Sequence, residues 1–226
     1  MFDSLEQARE AAADFIPEEH LDEAMKVLVP GIGLRPGEPG APVETGGSRL
    51  GGSPDLPAGS EWPRPTPSDD PEEIEGRANA ASGTWLREHL SRHLPFAFLC
   101  QIDLAEAHAL GELTADLPEH GRLLFFYDLC VGGWEDDFGE FAMECGVFIT
   151  PEWRHHQLLG APQSEQSDPG DYMEVDAPED WRLLLQLSIP GWDAAEDGVG
   201  TVYFLINTDG LAARRFDRVR AIYQQT

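Results

Sequence analysis

The residues whose types and spacing suit chemistry fall into a few groups. His89 and His93 stand four apart in a helical pattern, so their rings share one face and could pinch a zinc ion. A mononuclear site needs a third ligand, which the pattern does not supply, and Glu88 and Arg92 beside them suit an ordinary exposed helix. His155 and His156 are adjacent; in extended chain their side chains point to opposite faces and cannot chelate together. Glu135, Asp136 and Asp137, followed by Glu140 and Glu144, carry enough carboxylate for Ca²⁺ or Mg²⁺. They lack the spacing and turn glycine of an EF-hand loop, so a solvated acidic hairpin is the simpler reading. The remaining group is Arg49, Asp55 and Trp62 near a glycine-rich bend, with Asp103, Trp192 and Asp193. Polar and aromatic residues at strand ends often line a cleft, which makes these six, with Gln101 and Gln186 inside apolar strands, candidate ligand-binding residues. The competing reading is that Arg49 pairs with a carboxylate to fix the bend while the tryptophans cap the core.

No nucleophile elbow, Walker loop, dinucleotide fingerprint or His-Glu-x-x-His run occurs. Gly46-Gly47 and Gly51-Gly52 lack the lysine and hydroxyl that phosphate binding needs. Cys100, Cys130 and Cys145 are odd in number and irregularly spaced, and Cys100 sits in an apolar strand pattern, which suits reduced, packed thiols rather than a nucleophile. The sequence therefore assigns no catalytic residue, no metal site and no cofactor.

The elements that must position these residues are α+β in type. Leu5, Ala8, Ala12 and Phe15, then Leu21, Met25 and Leu28, predict one or two helices over 3–28 broken near Pro17, with Asp3 or Ser4 as cap. Pro30 to Gly47 is rich in Pro and Gly and reads as extended surface chain. Pro63 to Ala81 carries five acidic residues and reads as a solvated insertion. A helix is predicted over 84–93 and a shorter one over 104–113. Strands are predicted at 96–102, 123–127, 146–150, 183–188 and 201–206. Most are separated by turn residues, with little room for crossover helices, which favours mainly antiparallel sheets carrying a few packed helices.

Fifteen Lys and Arg against 42 Asp and Glu give a net charge of −27. Such a field repels nucleic acid and anionic membrane surfaces and attracts basic proteins. Lys26 is the sole lysine, an arginine bias that also fits GC-rich coding, with the charge then a solubility device. Hydrophobic residues at 41% suffice for a core. The acidic, amphipathic amino terminus lacks the features of a signal peptide, and no run approaches membrane-spanning length, so a soluble cytoplasmic protein is expected.

Three elements recur in order. Leu50-Gly51-Gly52-Ser53-Pro54, Leu99-Cys100-Gln101-Ile102 and Gly121-Arg122-Leu123-Leu124-Phe125-Phe126 are echoed by Leu158-Leu159-Gly160-Ala161-Pro162, Leu184-Leu185-Gln186-Leu187 and Gly200-Thr201-Val202-Tyr203-Phe204-Leu205. The offsets are 108 (Gly52 to Gly160), 85 (Gln101 to Gln186) and 79 (Gly121 to Gly200). A weak internal duplication follows, with pseudo-repeats at about 48–128 and 155–210 and Gln101 and Gln186 in equivalent positions.

The same stretches carry a family resemblance. Ser48-Arg49-Leu50-Gly51-Gly52-Ser53-Pro54-Asp55-Leu56-Pro57 with Glu61-Trp62-Pro63, the run 95–104, the run 117–126, His156-Gln157-Leu158-Leu159-Gly160-Ala161-Pro162 and the run 198–206 resemble, in order, the YwqG-like bacterial family of unknown function. The likeness spans about 48–220. It sets a domain at 48–226 apart from a helical extension and Pro/Gly-rich linker at 1–47. Departures are the Pro63–Ala81 insertion and Ala194-Ala195-Glu196-Asp197, where the family has a shorter turn. The resemblance implies a shared α+β fold and, for His156, a fold-bracing hydrogen bond; it implies no activity.

Two functions from different classes follow as expectations. The first is a non-catalytic binding module whose acidic surface engages a basic protein, as an antitoxin or immunity protein does. The second is a small-molecule-binding protein or hydrolase using a cleft between the halves, with Arg49, Asp103 and Asp193 on the ligand. The sequence assigns no oligomeric state.

Overall fold

The computed structural model describes residues 4–38, 42–65, 87–88, 90–128, 145–150, 156–173, 175, 177–190 and 199–225. In chain order the elements are helices α1 (Leu5–Ala13) and α2 (Glu18–Lys26), strands β1 (Ile32–Pro36), β2 (Arg49–Leu50) and β3 (Ala97–Asp103), helix α3 (Leu104–His108), strands β4 (Arg122–Tyr127), β5 (Cys145–Thr150), β6 (His156–Leu158), β7 (Trp181–Pro190) and β8 (Val199–Asn207), helix α4 (Thr208–Ala212) and strand β9 (Arg220–Gln225). The chain divides into two compact units, one of Met1–Gly37, Asp103–Gly121 and Val147–Thr226, the other of Glu38–Ile102 and Arg122–Gly146.

Within the first unit the strand order is β5-β1-β6-β7-β8-β9, and each of these pairings is antiparallel. From Leu183 to Ser188 every residue of β7 is buried, so both faces of this strand are covered. Leu183, Tyr203, Leu205 and Met173 form one packed cluster, flanked by Val175, Trp181 and Ile222. Each fully buried leucine contributes about 1.5–3 kcal/mol of transfer free energy. Gly200 lies where Tyr223 crosses it; a Cβ there would stand 2.6 Å from the ring.

The second unit carries β4-β3-β2 and the first residues of β5. Phe98 to Ile102 of β3 are all buried, including Cys100. Phe126 of β4 meets Phe98 and Trp62 edge-on at 5.5 and 5.6 Å.

The helical extension is a pair of helices, as the pattern predicts. Ser4 accepts from Gln7 N and caps α1, and Pro17 precedes the first turn of α2, where its missing N–H is harmless. The predicted apolar faces are only partly buried: Ala8 and Leu21 are inside, whereas Leu5 and Phe15 face solvent. The reading of Pro30–Gly47 as surface chain is corrected by β1, whose Ile32 and Leu34 are fully buried between β5 and β6. Only two apolar residues alternate there amid Pro and Gly, too short a pattern to register as a strand. The helix predicted over 104–113 ends earlier, at His108, and continues as a 3₁₀ turn at Gly111–Thr114. Residues 87, 88, 90 and 91 are helical, in the middle of the helix predicted at 84–93. Most of the Pro63–Ala81 insertion lies outside the described residues.

Candidate functional site

The bend after β2 is built by backbone conformation first. Gly51 and Gly52 both hold positive φ (64° and 69°), a left-handed pair that only glycine adopts without strain. Gly51 N donates to Leu99 O at 2.9 Å, pinning the bend to β3. The chain returns so that Asp55 faces Gln101, itself directly opposite Arg49 in the β2–β3 register.

Around that point a polar network closes on itself. Asp55 Oδ2 accepts from Gly46 N at 2.6 Å, from Arg49 Nη2 at 2.8 Å and from Gln101 Nε2 at 2.8 Å. Arg122 Nη1 stands 3.7 Å away. Gln101 Oε1 accepts from Asp55 N at 2.9 Å, and its Nε2 also donates to Gly47 O at 3.0 Å. Arg49 donates further to Glu44 O and Ser53 O. The hydrogen bond from Gln101 holds the Asp55 carboxyl below its usual range, aided by the Gly46 N–H and the charges of Arg49 and Arg122 and opposed by burial. An ionised carboxylate whose oxygen already takes three donors is a poor base and a poor nucleophile. This arrangement ties four separate backbone stretches together.

The second bend has the same local geometry. Leu159 and Gly160 hold positive φ (57° and 87°), and Leu159 N donates to Leu184 O at 3.0 Å. Gln157 is opposite Gln186 in the β6–β7 register. Gln186 Oε1 accepts from Gln163 N at 2.9 Å, and Gln157 Nε2 donates to Ala161 O. A Cβ on Gly160 would sit 2.7 Å from Gly31 Cα, the close backbone approach that a Gly before a Pro bend implies. The chain beyond is fastened to β8 and β9. Tyr203 donates to Gln163 O at 2.7 Å and accepts from Glu165 N at 3.1 Å; Thr201 donates to Glu165 Oε1 at 2.9 Å; Gln224 spans Glu165 N and Ser167 O. Burial pushes the Tyr203 hydroxyl up to about 12.

Of the eight candidate residues, the structure brings Arg49, Asp55 and Gln101 together. Trp62 bonds through Nε1 to Phe96 O at 2.7 Å and packs on Phe126. Asp103 caps α3 by accepting from Glu106 N at 3.0 Å. Gln186 braces the second bend. Trp192 and Asp193 lie outside the described residues, as do His89, His155, Cys130 and the Glu135–Glu144 run. His156 Nδ1 accepts from Ser188 N at 3.1 Å, the bracing bond its motif implied. Among the described residues no group of three or more His, Cys, Asp or Glu could hold a metal ion, and no helix is long and apolar enough to cross a membrane.

Sequence reasoning passed over Arg122, Gln157, Gln163, Tyr203 and Gln224. A signal for two of them was present: the 108-residue offset from Gly52 to Gly160 carries Arg49 onto Gln157 and Asp55 onto Gln163.

Comparison with known proteins adds one family. The family described as "Domain of unknown function (DUF1963)" matches residues 48–152 and again 133–224. No curated protein matches the chain.

Proposed function

Because the chain belongs to the DUF1963 (YwqG-like) family, whose description carries no activity, we propose from its charge that it is a non-catalytic, cytoplasmic binding module whose acidic surface engages a basic protein, in the manner of an antitoxin or immunity protein. The carrying observation is the net charge of −27. A field of that size raises the on-rate toward a cationic partner and makes it fall with salt. Consistent with a role outside catalysis, the most chemically capable cluster, Arg49–Asp55–Gln101, is occupied by its own hydrogen bonds.

The domain at 48–226 is further proposed to be an internal duplication. In support, matching residues repeat the backbone bond of the bend (Gly51 to Leu99, Leu159 to Leu184) and the glutamine acceptor (Asp55 to Gln101, Gln163 to Gln186). In this reading the first copy keeps a charged bend, Arg49 with Asp55, where the second has two glutamines.

The test is a pull-down from the native lysate at low salt, eluted by a salt step, followed by association kinetics on what is recovered. A basic protein bound in stoichiometric amount, with an on-rate that falls steeply from low to physiological ionic strength, is the expected result. An on-rate indifferent to salt refutes the reading.

A further inference from the structure

Two properties of the N-terminal helical pair coincide. From Glu6 to Lys26 there are seven carboxylates, all exposed, against two cations, Arg9 and Lys26, a net of −5. Both cations are already engaged, Arg9 with Asp22 at 2.6 Å and Lys26 with Glu23 at 2.7 Å. The same short segment holds five of the seven large hydrophobic side chains described as exposed: Leu5 (68%), Phe15 (88%), Val27 (76%), Leu28 (38%) and Val29 (58%). Single exposed apolar residues are ordinary; a concentration of them on one acidic element is not.

The placement spreads them along the pair. The Arg9–Asp22 ion pair sets the two helices side by side around the 14–17 turn. Leu5 then lies at the same end of the pair as Val27–Val29, and Phe15 stands at the turn. An apolar surface with an anionic rim is complementary to a segment with an apolar stripe and a cationic rim.

We infer that the α1–α2 pair is the docking element for a basic amphipathic helix of the partner, its apolar side chains against Leu5, Phe15 and Val27–Val29 and its Lys or Arg residues against the surrounding carboxylates. This rests on the acidic-binding function proposed above and names where that binding occurs. The apolar contact supplies residence time and selectivity, and the charge supplies approach.

The test uses the full chain and two labelled peptides of equal charge: an amphipathic helix of Leu and Lys, and the same sequence with every Leu replaced by Ser. Anisotropy is read at physiological ionic strength. The Leu/Lys peptide is expected to bind at least ~tenfold more tightly than the Ser/Lys peptide. The variant Phe15→Ser, Val27→Ser, Val29→Ser is expected to erase that preference, whereas Tyr172→Ser, an exposed apolar site elsewhere, leaves it intact. Circular dichroism confirms that both variants stay folded, and Glu10→Gln, Glu18→Gln, Glu19→Gln weakens both peptides together. Salt-sensitive binding of the Leu/Lys peptide that the triple serine variant does not change sinks the docking element while leaving the acidic-binding function standing. No binding of either peptide even at low salt sinks both. Sedimentation showing a dimer that the triple serine variant dissolves assigns the surface to a second copy and overturns the proposal.

Discussion

The Arg49–Asp55 pair offers the sharpest test of how the first bend is held. The perturbation is a double-mutant cycle of Arg49→Met, Asp55→Asn and both together. The ion pair is 2.8 Å from Nη2 to Oδ2, with the arginine side chain 6% and the aspartate 20% exposed. Two charges about 4 Å apart at an effective dielectric near 20 attract by about 4 kcal/mol. Partial access of water to Asp55 reduces this, so a coupling energy of about 2–4 kcal/mol is expected, above the ~1 kcal/mol ceiling of exposed pairs. The double variant destabilises by less than the sum of the two singles, because each single leaves one buried charge without its counter-charge.

The pH dependence gives the same test a second arm. The folded-state pKa of Asp55 is lowered, chiefly by its Gln101 hydrogen bond. Its contribution is therefore fully present above the unfolded value of about 3.9 and is lost as pH falls through the lower folded value. The gap in urea stability between the natural protein and Asp55→Asn, read by tryptophan fluorescence, must be widest near neutral pH and narrow below about pH 4. A coupling energy under about 1 kcal/mol, or a gap that does not change with pH, refutes the bracing role.

Further outcomes are expected elsewhere. Burial raises Tyr203 from 10.0 to about 12, so between those values the unfolded chain releases a proton that the folded chain keeps. Stability falls over that window by about 3 kcal/mol, and urea unfolding at alkaline pH should show a shallower fall in Tyr203→Phe, which starts from a lower neutral-pH stability for want of the bond to Gln163 O. Gly160→Ala meets both a positive φ and Gly31 Cα at 2.7 Å, whereas Gly59→Ala meets a positive φ with nothing within 4 Å. Thermal unfolding should register about 1–2 kcal/mol for Gly59→Ala and clearly more for Gly160→Ala; equal losses remove the close-approach argument. Asp103→Ala removes the cap of α3 and should destabilise by about 1 kcal/mol, with Asp103→Asn close to neutral in the same assay.

The elements with strong local signals were legible. The strands at β3, β4, β7 and β8 follow long apolar runs, and Ser4 and Pro17 mark helix starts. What escaped were strands too short to show a period, such as Arg49–Leu50 and His156–Leu158, whose existence depends on partners far along the chain. The glutamines could be singled out because an amide inside an apolar strand must be satisfied, yet their partners could not. Asp55 is 46 residues from Gln101, and Gln163 is 23 from Gln186. No local rule selects among the many donors at such separations. For Trp62 and Asp103 the sequence shows polarity and size but not direction; Trp62 donates to Phe96 O and Asp103 accepts from the α3 backbone.

A chain this acidic has few cations to place, and where they go is informative. Arg49, one of fifteen, is held almost wholly inside, beside a carboxylate and two carbonyls, where solvent and partners reach it least. On the proposed duplication the position matching Arg49 is Gln157, whose neutral amide donates to Ala161 O. On the proposed duplication, one bend is closed with charge and its counterpart without it, and charge is then not what the bend requires. If the ion pair were only structural, Arg49→Gln with Asp55→Gln should recreate the neutral solution and fold with most of its stability. Recovery of that double variant, against large losses for each single one, would separate the need for mutual satisfaction from any need for charge. Failure of the double variant to fold would mean that the first bend depends on the Arg49 contacts to Glu44 O and Ser53 O in a way the second does not.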